Sequence, residues 1–431
     1  MCSYLIAKYP TMVGVRSEIK LQTALHVASN AQVATPLIQG LADRVFVLDH
    51  AGCSELFYAV KRHEAKLVEM FQKEFLAPPT DINNILSEVI TLPDLPILKT
   101  LLLYKPDITL ELVTAAVLSN NSKILLKVLN HVSDSVLREN PSNVLSPYLA
   151  AMTVNDTHLF TLLTKKLAPS DWGLIVDKEG WNVAHYCIFF NRTSLLDNMM
   201  SDPQYSKLMK TPNKQGFYPL AYAVQQASSS SKSALQVLGP KIIELKHYKA
   251  NDTFDLLHFA IELQNYAAVE SLVGMRFKFT KNEQGQSVFH RACWAYPEPR
   301  VIDLLVNTDK AQINELDGTE DTPAEERLTP LEYALLKQNE KLVKHLVTKQ
   351  GVDVDMNKVA SILKYLCRYE IDGEEAEELA ELVGYQGVED IIDRKVAYEE
   401  VQHIKDIVER LNHSVQLSHS TPDYISTIQR L

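Results

Sequence analysis

This sequence of 431 residues is short of glycine, of paired cysteines, of long apolar runs and of clustered positive charge, and each shortage excludes something. Only 14 glycines occur, low against an average usage of roughly 7%, so most turns must be built from other residues. A phosphate-cradling P-loop, a G-x-G-x-x-G after a strand and the H-E-x-x-H zinc motif are all missing. Their absence removes common nucleotide and metalloprotease chemistries, and no cofactor or metal is expected. The five cysteines, Cys2, Cys53, Cys187, Cys293 and Cys367, are odd in number and scattered, without C-x-x-C spacing. That argues against a disulfide framework and for a reducing, cytoplasmic compartment. No apolar run approaches the roughly 18 residues that span a bilayer, and Met1-Cys2-Ser3-Tyr4-Leu5 does not begin a charged region followed by an apolar signal core.

Charge is uneven. The net charge is −11, and residues 355–431 hold 16 acidic and 8 basic residues, or −8, which leaves −3 for the rest. With no basic stripe, nucleic acid and anionic membranes are poor candidates as partners.

What the chain does have is a recurring hexad. Thr23-Ala24-Leu25-His26-Val27-Ala28 returns, more weakly, at residues 54–59, 146–151, 182–187, 218–223, 255–260, 287–292 and 329–334. The hexads ending at 151, 187 and 223 are spaced by 36 twice; unrelated helices would show no such interval, so this is a repeat protein. A Ser, Thr or Asn at the hexad start caps a helix by accepting from a free backbone N–H. Pro in the first turn, as in Thr329-Pro330 and Ser146-Pro147, costs no hydrogen bond there. Leu and Ala at helical spacing then form a packing face on which the small Ala admits a neighbouring helix. A second apolar-periodic stretch follows, for example Leu342, Val343, Leu346 and Val347 after Ala334. Each unit therefore reads as two antiparallel helices and a turn. One such pair cannot bury its apolar face alone and must stack on its neighbours.

Polar-Gly turns precede several hexads: Asp49 to Gly52, Asp177 to Gly180, Asn213 to Gly216 and Asn282 to Gly285. With the hexads, they give a pattern that resembles the ankyrin repeat, D-x-x-G-x-T-P-L-H-x-A followed by a second helix. The resemblance implies an all-α, ankyrin-like helical-repeat solenoid of about nine or ten units, acting as a protein-binding scaffold in a single copy. The chain departs from the pattern where Asn191 and Gln264 stand at the usual glycine between the helices.

Residues 1–19 read as a lead-in, 20–356 as the array and 357–431 as an acidic helical C-terminal cap and tail. Within the array the signature fades over 60–145, where one or two divergent pairs are expected, the plainest from Leu112 to Leu129. The serines at 228–231 and the polar stretch 317–326 read as exposed loops. Divergent repeats and a polar tail over 411–431 also resemble ankyrin-repeat effectors that intracellular bacteria deliver into host cytosol.

The histidines His26, His185, His258 and His290 share one hexad position and lie about a repeat apart, too far to share a metal. The family resemblance implies hydrogen bonds to backbone. It also implies that partners are met at the residue after the turn glycine and at positions just past the hexad. Those sites hold Trp181, Phe217 and Phe254 in the first class and Phe189, Phe190 and Trp294 in the second. Rings so placed are either interface anchors, burying much area at low entropy cost, or core residues of irregular repeats. No catalytic residue is expected. The alternative reading is a scaffold bearing a thiol, cysteine protease-like enzyme in its C-terminal segment, with Cys367 beside His403 or His413; no Gly-rich elbow or strand pattern accompanies them.

Overall fold

A computed structural model of the chain describes residues 4, 8–92, 94–138, 145–154, 156–166, 173, 175–192, 194–196, 207–228, 234–236, 250, 255–295, 298–394 and 396–413. Among them the fold is an all-α helical repeat: no strand forms, and an isolated bridge joins Val176 to Asn182. The chain divides into two compact units, Met1–Leu195 with Asp202–Leu208, and Leu196–Ser201 with Met209–Leu431.

In the first unit, inner helices α2 (Glu55–Lys61), α4 (Ile82–Thr91), α6 (Leu110–Leu118), α8 (Pro147–Thr153) and α10 (Val183–Phe189) stack one on the next. Outer helices α1 (Ala31–Gln39), α3 (Ala65–Glu74), α5 (Leu95–Leu101), α7 (Ser122–Leu129) and α9 (Thr157–Thr164) stack likewise. The first hexad forms only a turn, Ala28 N–H donating to Leu25 O at 3.2 Å, before α1 begins. Two helix pairs, α4/α5 and α6/α7, fill the stretch where the signature fades.

In the second unit the inner helices are α11 (Pro219–Gln225), α12 (Leu256–Glu262), α14 (Val288–Ala295), α16 (Pro330–Leu336) and α18 (Met356–Tyr369). Outer helices described here are α13 (Tyr266–Gly274), α15 (Arg300–Thr308), α17 (Glu340–His345) and α19 (Gly373–Val383). The same stacking runs on through α18/α19: α18 packs on α16 and α19 on α17. Beyond it, α20 (Val388–Ile392) and α21 (Gln402–His413) pack on α18.

Inner and outer helices differ because their surroundings differ. Every residue of α10 from Val183 to Ile188 is buried, as a helix held between neighbours on several sides must be. Helix α15 buries only a stripe, Val301, Ile302 and Leu305. The hexad Leu and Ala are sealed: Leu56, Ala59, Leu257, Ala260, Leu331 and Ala334 are at most 2% exposed. Each fully buried Leu or Val contributes on the order of 1.5–3 kcal/mol.

Turn chemistry explains how so little glycine suffices. Gly52, Gly180, Gly216 and Gly285 have φ of +74°, +80°, +82° and +73°, the left-handed region that other residues enter at a cost. Between the helices of a pair the same region is taken without glycine, by His63, Asn120, Asn191, Gln264 and Gln338 at φ of 52–58°. Several use the side chain that glycine lacks to reach the following pair. Gln264 Nε2 donates to Ala295 O at 2.7 Å, Gln338 Nε2 donates to Glu370 Oε2 at 2.7 Å, and His63 lies 3.5 Å from Asp94. Residues beside them reach back instead. Arg192 donates to Met152 O and Thr153 O, Arg62 to His26 O and Ala28 O, and Asn265 to Val224 O and Ala227 O, at 2.7–3.1 Å. Carbonyls at the end of the preceding inner helix, or of the first hexad's turn in the case of Arg62, are thereby satisfied.

Candidate partner-binding site

The turn and hexad of the repeat around α10 show how side chains are set. Asp177 Oδ1 accepts from Glu179 N and Trp181 N at 2.9 and 2.8 Å, and Tyr186 Oη donates to Asp177 Oδ2 at 2.8 Å. Burial raises the Asp177 carboxyl above its ordinary range, and these bonds oppose it. The same device recurs at Asp49 with Tyr58 and at Asp317 with Tyr333, at 2.7 and 2.6 Å. At Asp49, burial is outweighed by bonds from Gln22, Tyr58, Cys53 and Ala51, which hold the carboxyl at about 2.

The hexad histidines are joints between repeats. Thr23 N and Ser287 N donate to Nδ1 of His26 and His290 at 3.0 and 3.1 Å, which leaves Nε2 to carry the proton. His26 Nε2 then donates to Cys53 O and His290 Nε2 to Leu328 O at 3.2 and 2.9 Å. His258 Nε2 sits 3.1 Å from Gln286 O, and His185 Nδ1 accepts from Asn182 N at 3.2 Å. Burial holds His290 down at about 3, so it stays neutral. In α6 the short side chain of Thr114 makes the equivalent bridge, Oγ1 donating to Leu145 O at 2.9 Å. A hydroxyl in place of imidazole gives no sign of this role in the sequence.

The expected contact rings are placed unevenly. Trp181, Phe217 and Trp294 are 3%, 9% and 8% exposed, so these three are buried rather than turned to solvent. The cause is that each ring reaches into a seam of its own repeat or between repeats. Trp181 lies 5.6–5.8 Å from His185, Tyr186 and Phe189; Phe217 lies 5.8 Å from Phe259; Trp294 lies 5.8 Å from Tyr333. Lys337 covers the Trp294 ring at 3.9 Å. Phe189 and Phe190 are half-buried at the end of α10. Their rings meet edge to face at 5.2 Å, Tyr186 lies 6.1 Å from Phe190, and the Arg192 guanidinium stands 5.8 Å from the Phe190 ring. Phe254 lies outside the described residues, as do the serines at 229–231 and the tail over 414–431. Tyr186 and Arg192 thus join the cluster, Tyr186 from inside the hexad at 182–187 and Arg192 from the turn after α10.

Residues 257–360 match the family model for ankyrin repeats, in three copies. Ankyrin repeats characteristically bind proteins and are typically non-catalytic, and their helix pairs are the α12 to α17 stack described above. A search of curated proteins finds no match to the chain.

The groups of the thiol alternative stand differently from an activated pair. Cys367 is half-buried, and burial pushes its thiol up from the ordinary value, whereas a nucleophilic cysteine needs it lowered. His403 is exposed on α21, and no hydrogen bond joins it to Cys367 among the described residues. Cys53, Cys187 and Cys293 are also free thiols. No group of three or more His, Cys, Asp or Glu among the described residues is arranged to hold a metal, and none of their helices is long and apolar enough to cross a membrane.

Proposed function

We propose that this chain is a non-catalytic scaffold that captures a partner protein on the concave, inner-helix side of its repeats, with Phe189 and Phe190 as anchors. The observation that carries this reading is the half-exposed aromatic pair at the end of α10, on a helix-repeat framework whose 257–360 segment matches ankyrin repeats. Rigid rings already held edge to face lose little freedom on binding, and a few such anchors dominate interface energies. Trp181 supports the pair from below, and Phe217 and Trp294 serve the same supporting role in their own repeats. The chain acts as one copy in a reducing cytosol; if it is delivered as the bacterial effectors it resembles are, that partner is a host protein.

The test separates anchor from support. The intact chain is immobilised, partners are captured from cell lysate and identified by mass spectrometry, and the affinity of the captured protein is then measured. Phe189→Ala with Phe190→Ala is expected to weaken capture about 30-fold or more, the effect of losing roughly 2 kcal/mol at a hot spot, with the melting temperature little changed. Trp181→Ala should instead destabilise the first unit by about 3–5 kcal/mol, as for other large buried rings. Full retention of capture by the double variant would remove the assignment.

A further inference from the structure

The C-terminal part of the chain carries a cavity of about 360 Å³ whose lining has one sign of charge. Its floor is apolar: Ile391 and Val396 are buried and Ile392 half-buried. Its rim holds Arg368, Arg394 and the exposed ring of Tyr369. Among the described residues no carboxylate lines it, although residues 355–431 hold twice as many acidic as basic side chains, 16 against 8. Cations gather further around it: Arg368 lies 5.4 Å from the Tyr369 ring, and Lys405 lies 5.9 Å from Tyr369 and 5.6 Å from the exposed Tyr398.

We propose that this cavity is a second binding site, taking an acidic peptide in which an apolar side chain stands beside a carboxylate. The volume lies in the range of ligand sites, which are apolar with a few placed polar groups. An aliphatic side chain fits the Ile391, Ile392 and Val396 floor, and the guanidinium fork of Arg394 pairs a carboxylate in two-point fashion. Arg394 already meets Glu400, which also lies 3.4 Å from Lys364. That contact is open to solvent, Arg394 being 52% and Glu400 34% exposed, so it is weak and a ligand carboxylate can compete for the arginine. Arg368 is fixed by donating to Val396 O, which orders the rim before anything binds. Another cavity, of about 540 Å³ by the ends of α13 and α15, sets Asp309 among Arg276 and Lys278 and so lacks this selectivity.

The probe is a capped hexapeptide of alternating glutamate and leucine, titrated calorimetrically into the full chain. Lysine–leucine and glutamate–serine hexapeptides serve as controls. The glutamate–leucine peptide is expected to bind, with affinity falling at least tenfold for the glutamate–serine peptide, at least tenfold in Arg394→Gln, and beyond detection for the lysine–leucine peptide. Cys367 lines the same cavity, so in the unaltered chain the glutamate–leucine peptide should also slow its alkylation by N-ethylmaleimide, mapped by mass spectrometry. This readout does not depend on any variant folding. Absence of heat and of protection, equal binding of the lysine–leucine peptide, or unchanged affinity in a folded Arg394→Gln protein would each overturn the proposal. Displacement of the peptide by low-millimolar inorganic phosphate would reassign the site to phosphate.

Discussion

Glutamine in place of Glu262 is expected to destabilise the second unit by about 3–5 kcal/mol, among the largest losses any single side chain here should cause. Arg291 of α14 is fully buried and pairs through Nε with Glu262, whose side chain is 3% exposed, at the end of α12. Among the described residues its Nη1 and Nη2 have no hydrogen-bond partner. Removing the carboxylate would leave a cation in the interior with no compensating charge, and the cost of that exceeds what the pair contributes when intact. At the equivalent hexad position other repeats place Tyr58, Tyr186, Tyr222, Phe259 and Tyr333. Substituting both members, Glu262→Leu with Arg291→Tyr, should therefore restore the lost stability or exceed it. Urea unfolding of the intact chain, followed by circular dichroism, measures all three proteins. A loss below about 1 kcal/mol in the single variant would mean that the guanidinium has found water or another acceptor.

The second large effect belongs to Gly285, whose replacement by alanine should cost about 3 kcal/mol or more. A left-handed φ alone costs an L-residue roughly 1–2 kcal/mol. Here an added Cβ would also stand 1.9 Å from the carbonyl oxygen of Gly318 and 2.3 Å from its carbonyl carbon. Those are backbone atoms of the next turn, held by Gly318 N donating to Gln284 O at 3.2 Å, so they must shift rather than rotate away. Forcing extra volume into a packed site adds about 1–3 kcal/mol. Gly52 and Gly216 supply the control. Their φ values are alike, but among the described residues nothing lies within 4 Å of an added Cβ, so alanine there should show the conformational cost alone. Equal losses at all three positions would show that the close approach of the turns carries no weight.

The helices with an intact start signal were readable from sequence because cap, leucine and alanine are separate cues that coincide, as in Ser54, Leu56 and Ala59. The pairs α4/α5 and α6/α7 were blurred for identifiable reasons: Val89 takes the place of the small alanine, α4 begins a turn earlier, and Thr114 replaces the histidine joint. The turn before α16 was also obscured. Asp317 bonds Leu328 across the intervening residues as Asp177 bonds Trp181, but at a separation of 11 rather than 4. For the rings, sequence could place Trp181 and Trp294 on a repeat but could not tell which way each leans. That depends on whether the adjoining residue leaves room, and Tyr333 with Lys337 encloses Trp294. The cavity beside Arg394 was wholly invisible, since its lining comes from residues 367–369 on one side and Ile391, Ile392, Arg394 and Val396 on the other, which no motif connects.

The bonds that join the repeat pairs, from Arg62, Arg192, Gln264, Asn265 and the hexad histidines, run to an adjoining pair and no farther. Among the described residues, therefore, none of these bonds gauges the total number of pairs. A duplication or excision spliced at matching turn residues, such as His63 and Asn120, brings together faces already shaped to fit. Such a lineage can grow or shrink by whole modules, and it can exchange one recognition surface for another without redesigning those left behind.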